Sequence, residues 1–565
     1  MRRSVFLITV LLTAGVGLLL TLSLSTSASG SKGRESKGKT STQKPAGAQG
    51  SVSVTITPAG RSQTQIDVAL RAVNAHPTAK KYLRARRIRQ LEFELLEPQP
   101  YFPREQYRVT FYDYTHNRPV LVVGTFGDSR LMTVTVGAVQ PLPSPEEFDA
   151  AVEVIKNDPK MGPALIAGKL QPYRPMPPLA SESVLAERTL HVGLFGGDAG
   201  TLNQIVAVNM IRNTVSAYKS GAPPTALAAP TACGVPGAGQ AATSRGTAGQ
   251  AVITVTQGGQ TIWEMLVIRP SASSGTRGSG VELRDVKYRG KSVFKRAHVP
   301  ILNVHYDFDA CGPYRDWQWQ EGMFLADGTD IAAGVRMCAT APQTIMEAGS
   351  DAGNFRGVAV YKNPVNDELL LVSEMEAGWY RYVSRWEFTT DGVIRARFGF
   401  DGIDNSCVCN AHHHNAYWRF DFDPATAGRS RFTEYGTFAF NSPILTEAKR
   451  YRDYVRNRHW SIENIVSGEL IRIMPGHHDG VADFYARGDA WFLRYRGTEL
   501  DDGRNSTGSN TEADLDMFVN GEALDGQDVV MWYSGHFDHV DGVQVSHPED
   551  NGGHIVGPDI IVARW

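Results

Sequence analysis

A chain of 565 residues is too long for one compact core, so at least two domains are expected. With 42% apolar and 21% charged residues it is globular rather than disordered, and 56 Gly with 23 Phe, 20 Tyr and 10 Trp lean towards β-structure with many turns. A net charge of -2 argues against a polyanion partner, and the one basic cluster, Lys80, Lys81, Arg84, Arg86, Arg87 and Arg89, comes without an aromatic platform, so no nucleic-acid partner is expected.

Arg2 and Arg3 precede an apolar run from Val5 to Leu24 and the small residues Ser25 to Gly30, the pattern of an export signal over residues 1–30. Cleavage gives a secreted or periplasmic protein; retention gives a membrane-anchored one, because roughly 20 apolar residues span a bilayer. Residues 31–50, mostly Lys, Gly, Ser and Thr, read as a flexible tether.

Residues 51–181 read as a small α+β domain. A helix is expected near Gln65 to Asn74, and Arg108 to Tyr114 with Val120 to Thr125 form a hairpin turned at Asn117-Arg118-Pro119. Ser144-Pro145-Glu146-Glu147 starts a second helix, with Ser144 as cap and Glu147 completing a capping box. Within 182–250 a helix is expected over Leu202 to Tyr218, burying Ile205, Val206, Val208, Ile211 and Val215, before an Ala/Gly/Pro-rich linker.

From 251 to 565 short apolar stretches recur between Gly, Asp and Asn turns, which implies a large β-sandwich and a mainly β protein. Ile394, Ala396, Phe398 and Phe400 alternate with Arg395, Arg397 and Gly399, as in a strand with one buried face. Five cysteines exclude a dense disulfide framework. Cys311 with Cys338 is the expected disulfide, and Cys407 and Cys409, facing one side of a strand, are given a structural role.

In Asn410-Ala411-His412-His413-His414, residues two apart on a strand share a face about 6.6 Å apart. His412 and His414 can therefore share a metal, whereas His413 points away. Imidazole pairs suit copper, zinc, nickel or iron. His536-Phe537-Asp538-His539 offers a third ligand from a distant strand.

These segments resemble the copper amine oxidases. Arg419 and Asp421 follow His414 at that family's spacing, and Asp528 to Tyr533 is similar to the strand leading to its third copper ligand, here His539 with His536 as runner-up. His547-Pro548-Glu549-Asp550 resembles the acidic motif beyond it. Glu376 to Asp391 matches the strand of the quinone-forming tyrosine, which makes Tyr380 the counterpart, and Tyr306 matches a tyrosine lining the active site. The resemblance covers about Ala251 to the C-terminus. It implies copper(II) on His412, His414 and His539, topaquinone from Tyr380, a homodimer, and oxidation of a primary amine by dioxygen to an aldehyde, ammonia and hydrogen peroxide.

The departures sit at the chemistry. The family's proton-abstracting aspartate is here Gln320, an amide that cannot serve as a base near neutral pH. Glu321 replaces it only if a bulge turns it inward. Trp379 and Arg381 stand where the family has Asn and an acid beside the quinone. Two functions follow as expectations: a topaquinone-type oxidase, or a copper-binding non-oxidase on the same fold.

Overall fold

The computed structural model describes residues 51–96, 104–175, 178–196, 204–217, 233–238, 243, 246–273, 279–307, 311–403, 405–437, 441–502, 511–539 and 554–565. The export segment, the tether, most of the Ala/Gly/Pro-rich stretch and the His547 to Asp550 motif lie outside the described residues, as does the side chain of His539.

Two four-stranded antiparallel sheets accompany two large ones. The first orders Ile88–Leu96, Gln106–Asp113, Arg118–Thr125 and Asp128–Val136, and helix Gln63–Ala75 packs Ile66, Ala69 and Val73 against Phe93, Val109 and Val122. Ser62 and Gln65 form the capping box that starts this helix. In the second, helix Pro145–Lys156 lays Phe148, Ala151 and Ile155 on strands Thr189–Gly196 and Gln204–Asn209. Ser144 caps that helix, but Glu147 does not complete a box: its carboxylate pairs bidentately with the buried Arg188 and accepts from Tyr114. Ionic pairing of a buried carboxylate outweighs one exposed-type cap bond.

The segment read as a helix over Leu202 to Tyr218 is instead a hairpin, Gln204–Asn209 with Thr214–Ala217. Its β-branched residues fit both periods, but Val206 and Val208 alternate into the core. Asn209 accepts from the Ile211 and Arg212 amides, and Asn213 at φ 54 turns the chain back.

The rest is mainly β, two large sheets packed face to face. Val52–Ala59, placed by the sequence with the small domain, is the edge strand of one of them, paired with Gln250–Gln257. The inner faces meet in one core that includes Trp263, Trp386, Trp418, Phe398 and Phe420. Strand Val393–Gly402 buries Ile394, Ala396, Phe398 and Phe400 as its alternation requires.

The expected Cys311–Cys338 bond is absent. Cys311 pairs with Cys407 and Cys233 with Cys409, while Cys338 is buried outside any disulfide. Cys407 and Cys409 lie on a 3₁₀ turn, Ser406–Cys409, not on a strand. At about three residues per turn they diverge, so each reaches its own partner.

Candidate metal centre

Four strands build the site. Lys291–Tyr306, the hub strand, pairs with His412–Ala425, the histidine strand, which pairs in turn with Val529–His539. From the opposite sheet comes the tyrosine strand, Tyr380–Phe388. A two-residue turn, Gly378-Trp379, starts that strand, and Gly378 at φ 60 takes the left-handed position the tight turn needs.

Strand parity gathers the rings. His412 and His414 are both buried with centroids 4.8 Å apart, while His413 is half-buried on the other face beside Asp307. The Tyr380 ring lies 4.6 Å from His414 and 5.6 Å from His412. Across the ladder His539 is registered opposite His412, and Tyr306 opposes His412 on the other side.

A directed hydrogen-bond chain runs through the cluster. His412 Nδ1–H donates to the Asn410 carbonyl, so its Nε2 is the acceptor 2.9 Å from Tyr380 Oη. Tyr380 therefore donates there and accepts from Tyr306 Oη at 2.8 Å, which itself accepts from the Trp379 indole N–H at 2.9 Å. Burial raises the pKa of both phenols well above the ordinary range. The backbone bond on Nδ1 is the type of contact that orients a metal-binding imidazole. A second chain reaches His414, whose Nδ1 lies 3.0 Å from Tyr382 Oη; Tyr382 is also bonded to the buried Asp316. Nε2 is then the nitrogen His414 can offer a metal, and two such imidazoles suit copper among the ions that accept nitrogen donors.

The sequence-predicted residues divide. Tyr306, Tyr380, His412 and His414 converge, and Trp379 joins them as the donor to Tyr306. His536, the runner-up ligand, does not: it is registered with Asn415 and bonded to Asn415 Oδ1 at 2.6 Å and Asp489 Oδ1 at 2.7 Å. Strand alternation puts it on the face opposite His412 and His414. Arg381 faces away from the Tyr380 ring by strand alternation. It holds Asp351 at 2.6 and 3.1 Å and also donates to the Gly378 and Tyr380 carbonyls, bracing the turn.

Gln320 is buried and accepts from the Trp317 indole at 2.7 Å, lining a cleft with Trp319, Arg174 and His191. No bulge frees Glu321, whose carboxylate is held by Arg269 and by the amide and hydroxyl of Ser271. Asp316 and the role of Tyr382 were missed. Parity with Tyr380 could have signalled Tyr382; nothing periodic around Asp316 could have. At the far end of the histidine strand, Asp421 and Asp423 with Asp528 bring carboxylate oxygens within 4.8 Å of one another, a spacing that could hold a cation. Burial pushes Asp421 and Asp423 each up to about 7.

No protein-family model matches the sequence, and no curated protein matches it. Solved structures do. A copper-containing benzylamine oxidase from Hansenula polymorpha superposes with a TM-score of 0.53 at 12% identity, over 89% of this chain and 97% of that one. The fold is that of the copper amine oxidases. An amine oxidase of Aspergillus nidulans (TM-score 0.52, 14% identity, 88% of this chain and 87% of that one) is similar. So is the Pichia pastoris lysyl oxidase (0.54, 12%, 89% of each chain).

Proposed function

We propose that the chain is a copper amine oxidase-like protein that oxidises a primary amine with dioxygen, using a quinone derived from Tyr380. The observation that carries this reading is Tyr380 Oη at 2.9 Å from His412 Nε2, beside His414, on the copper amine oxidase fold. His412 and His414 would hold copper(II), with His539, in register opposite His412, as third ligand. When bound, copper and topaquinone supply a two-electron acceptor that dioxygen restores, so amine, dioxygen and water become aldehyde, ammonia and hydrogen peroxide.

The chain's own residues do the rest. Trp379 and Tyr306 fix the Tyr380 oxygen, and full burial of Tyr306, Tyr380 and Tyr382 excludes water from it. The experiment is to load copper in air, treat with phenylhydrazine and weigh the Tyr380 peptide. A coloured adduct on a modified Tyr380 is expected; copper bound with Tyr380 unmodified and no adduct would sink the reading.

One observation favours a second reading, a copper-binding non-oxidase. Gln320 is engaged by Trp317 and Glu321 by Arg269, so neither serves as proton acceptor. An active wild type ends that reading. The proposal extends to export, which the N-terminal pattern and two disulfides support, since such bonds persist in oxidising compartments. Whether the apolar run is cleaved or kept as an anchor is read from the N-terminus of the mature chain. A homodimer rests on the resemblance alone and is tested by sedimentation.

A further inference from the structure

We propose that Asp316 is a positioning residue of the metal centre: its carboxylate draws the Tyr382 hydroxyl proton, so Tyr382 Oη accepts from His414 Nδ1–H and the His414 Nε2 stays unprotonated. The inference rests on the reading of His414 as a metal ligand.

The geometry is a three-membered chain. Asp316 is 2% exposed, and among the described residues Tyr382 is the hydrogen-bond partner of its carboxyl, which it meets through Oδ2. Tyr382 Oη lies 3.0 Å from His414 Nδ1 and so has one proton to share between two neighbours. With a carboxylate on one side, that proton goes to Asp316 and the imidazole must donate. With a donor in the place of Asp316, the hydroxyl turns towards His414, Nδ1 becomes the acceptor and the ring proton moves to Nε2, where it blocks a metal. The identity of one side chain two bonds away thus chooses the tautomer.

Asp316 is well held for the task. Its amide donates to the Leu302 carbonyl at 2.8 Å, and the preceding Arg315 is locked to Asp502. Burial pushes its carboxyl up to about 8, so the acceptor form prevails above that value.

The experiment measures copper affinity by chelator competition at about pH 9, above the value of about 8 at which the Asp316 carboxyl ionises, and the His414 tautomer by imidazole ¹⁵N resonances. Asp316→Asn, which can donate to Tyr382, is expected to bind copper about 10–100-fold more weakly, the usual cost of losing an outer-shell partner. Tyr382→Phe should lose a similar amount, and the double variant no more than the worse single one. Unchanged affinity in Asp316→Asn, or a full second loss on the Tyr382→Phe background, overturns the proposal. The ¹⁵N readout holds even if a variant fails to fold. In the metal-free wild type at about pH 9, His414 should be protonated at Nδ1; protonation at Nε2 overturns it. Because that reading needs neither metal nor substrate, a wild type that binds no copper would end the metal-centre assignment without touching this test.

Discussion

The histidine strand and the segment from Cys311 to Glu321 carry the two halves of the proposed chemistry, and they are built in opposite ways. On the histidine strand every side chain's direction follows from parity and a continuous ladder, with Tyr306 opposite His412 on one side and His539 on the other. The other segment holds only the short bridge Tyr314–Arg315 and an isolated pairing of Glu321 with Met375. There each side chain is aimed by its own hydrogen bond: Asp316 to Tyr382, Gln320 to Trp317, Glu321 to Arg269. A ladder keeps a metal site through much sequence change, because it needs only register. An irregular segment keeps a proton acceptor only while each local partner persists.

The largest expected effect tests the ladder half. Removing an imidazole in His412→Ala or His414→Ala should weaken copper binding by more than about 100-fold, above the cost of an outer-shell loss. His536→Ala, on the opposite face, should leave copper stoichiometry intact and cost about 1–3 kcal/mol of stability through its two lost bonds, to Asn415 and to Asp489, the latter keeping Arg452 and the Ala482 amide. Metal analysis and denaturant titration separate the two; copper lost in His536→Ala would break the register argument. The irregular half is tested by Gln320→Asp, expected to raise amine oxidation by about 100-fold. That is the lower end for a general base, since the Trp317 N–H stabilises the carboxylate and lowers its basicity. A wild type already as fast as the variant would mean that the proton acceptor lies elsewhere.

The same contrast explains what could be read from the chain. The sandwich, the hairpin at Asn117, the alternation through Phe400 and the pairing of His412 with His414 follow from period two alone. Arg381 adjoins Tyr380 in the chain, yet the same parity turns it to the other face, where it meets Asp351. Asp316 and the grip on Glu321 were invisible, being set by partners on remote segments. The disulfides span 176 and 96 residues, and no local rule pairs such cysteines. The hairpin at 204–217 failed for another reason: Ile205, Val206, Val208, Ile211 and Val215 satisfy both periods, and only the flanking Asn209 and Asn213 decide.

A smaller effect is the response to pH, because buried acids occur in both halves. Asp316 and Glu374 are pushed up to about 8, and Asp421 and Asp423 to about 7, in each case chiefly by burial. Each holds its proton in the folded protein where the unfolded chain, at about pH 4, has released it. Their contribution is therefore complete below the unfolded value and is lost as pH rises through 7 to 8. Metal-free protein should lose at least about 3 kcal/mol between pH 5 and 9, measured by urea unfolding. Asp316→Asn should make that fall shallower over its whole course up to about pH 8. Stability rising over this interval would show that these acids are ionised in the fold.

The smallest effect concerns Trp379, which stands where the ladder half meets the turn. Its indole N–H is the first donor in the chain to Tyr306, Tyr380 and His412. Trp379→Phe keeps most of the ring volume and removes that donor, so the expected cost is about 1 kcal/mol, the net worth of one hydrogen bond. The copper site should survive, because the Asn410 carbonyl still fixes the His412 tautomer. Urea unfolding with copper titration reads both quantities in one preparation. A loss of copper affinity as large as that of His412→Ala would mean that the turn, rather than the strand, aims the imidazoles, and the division drawn between ladder and irregular segment would fail at its best-defined end.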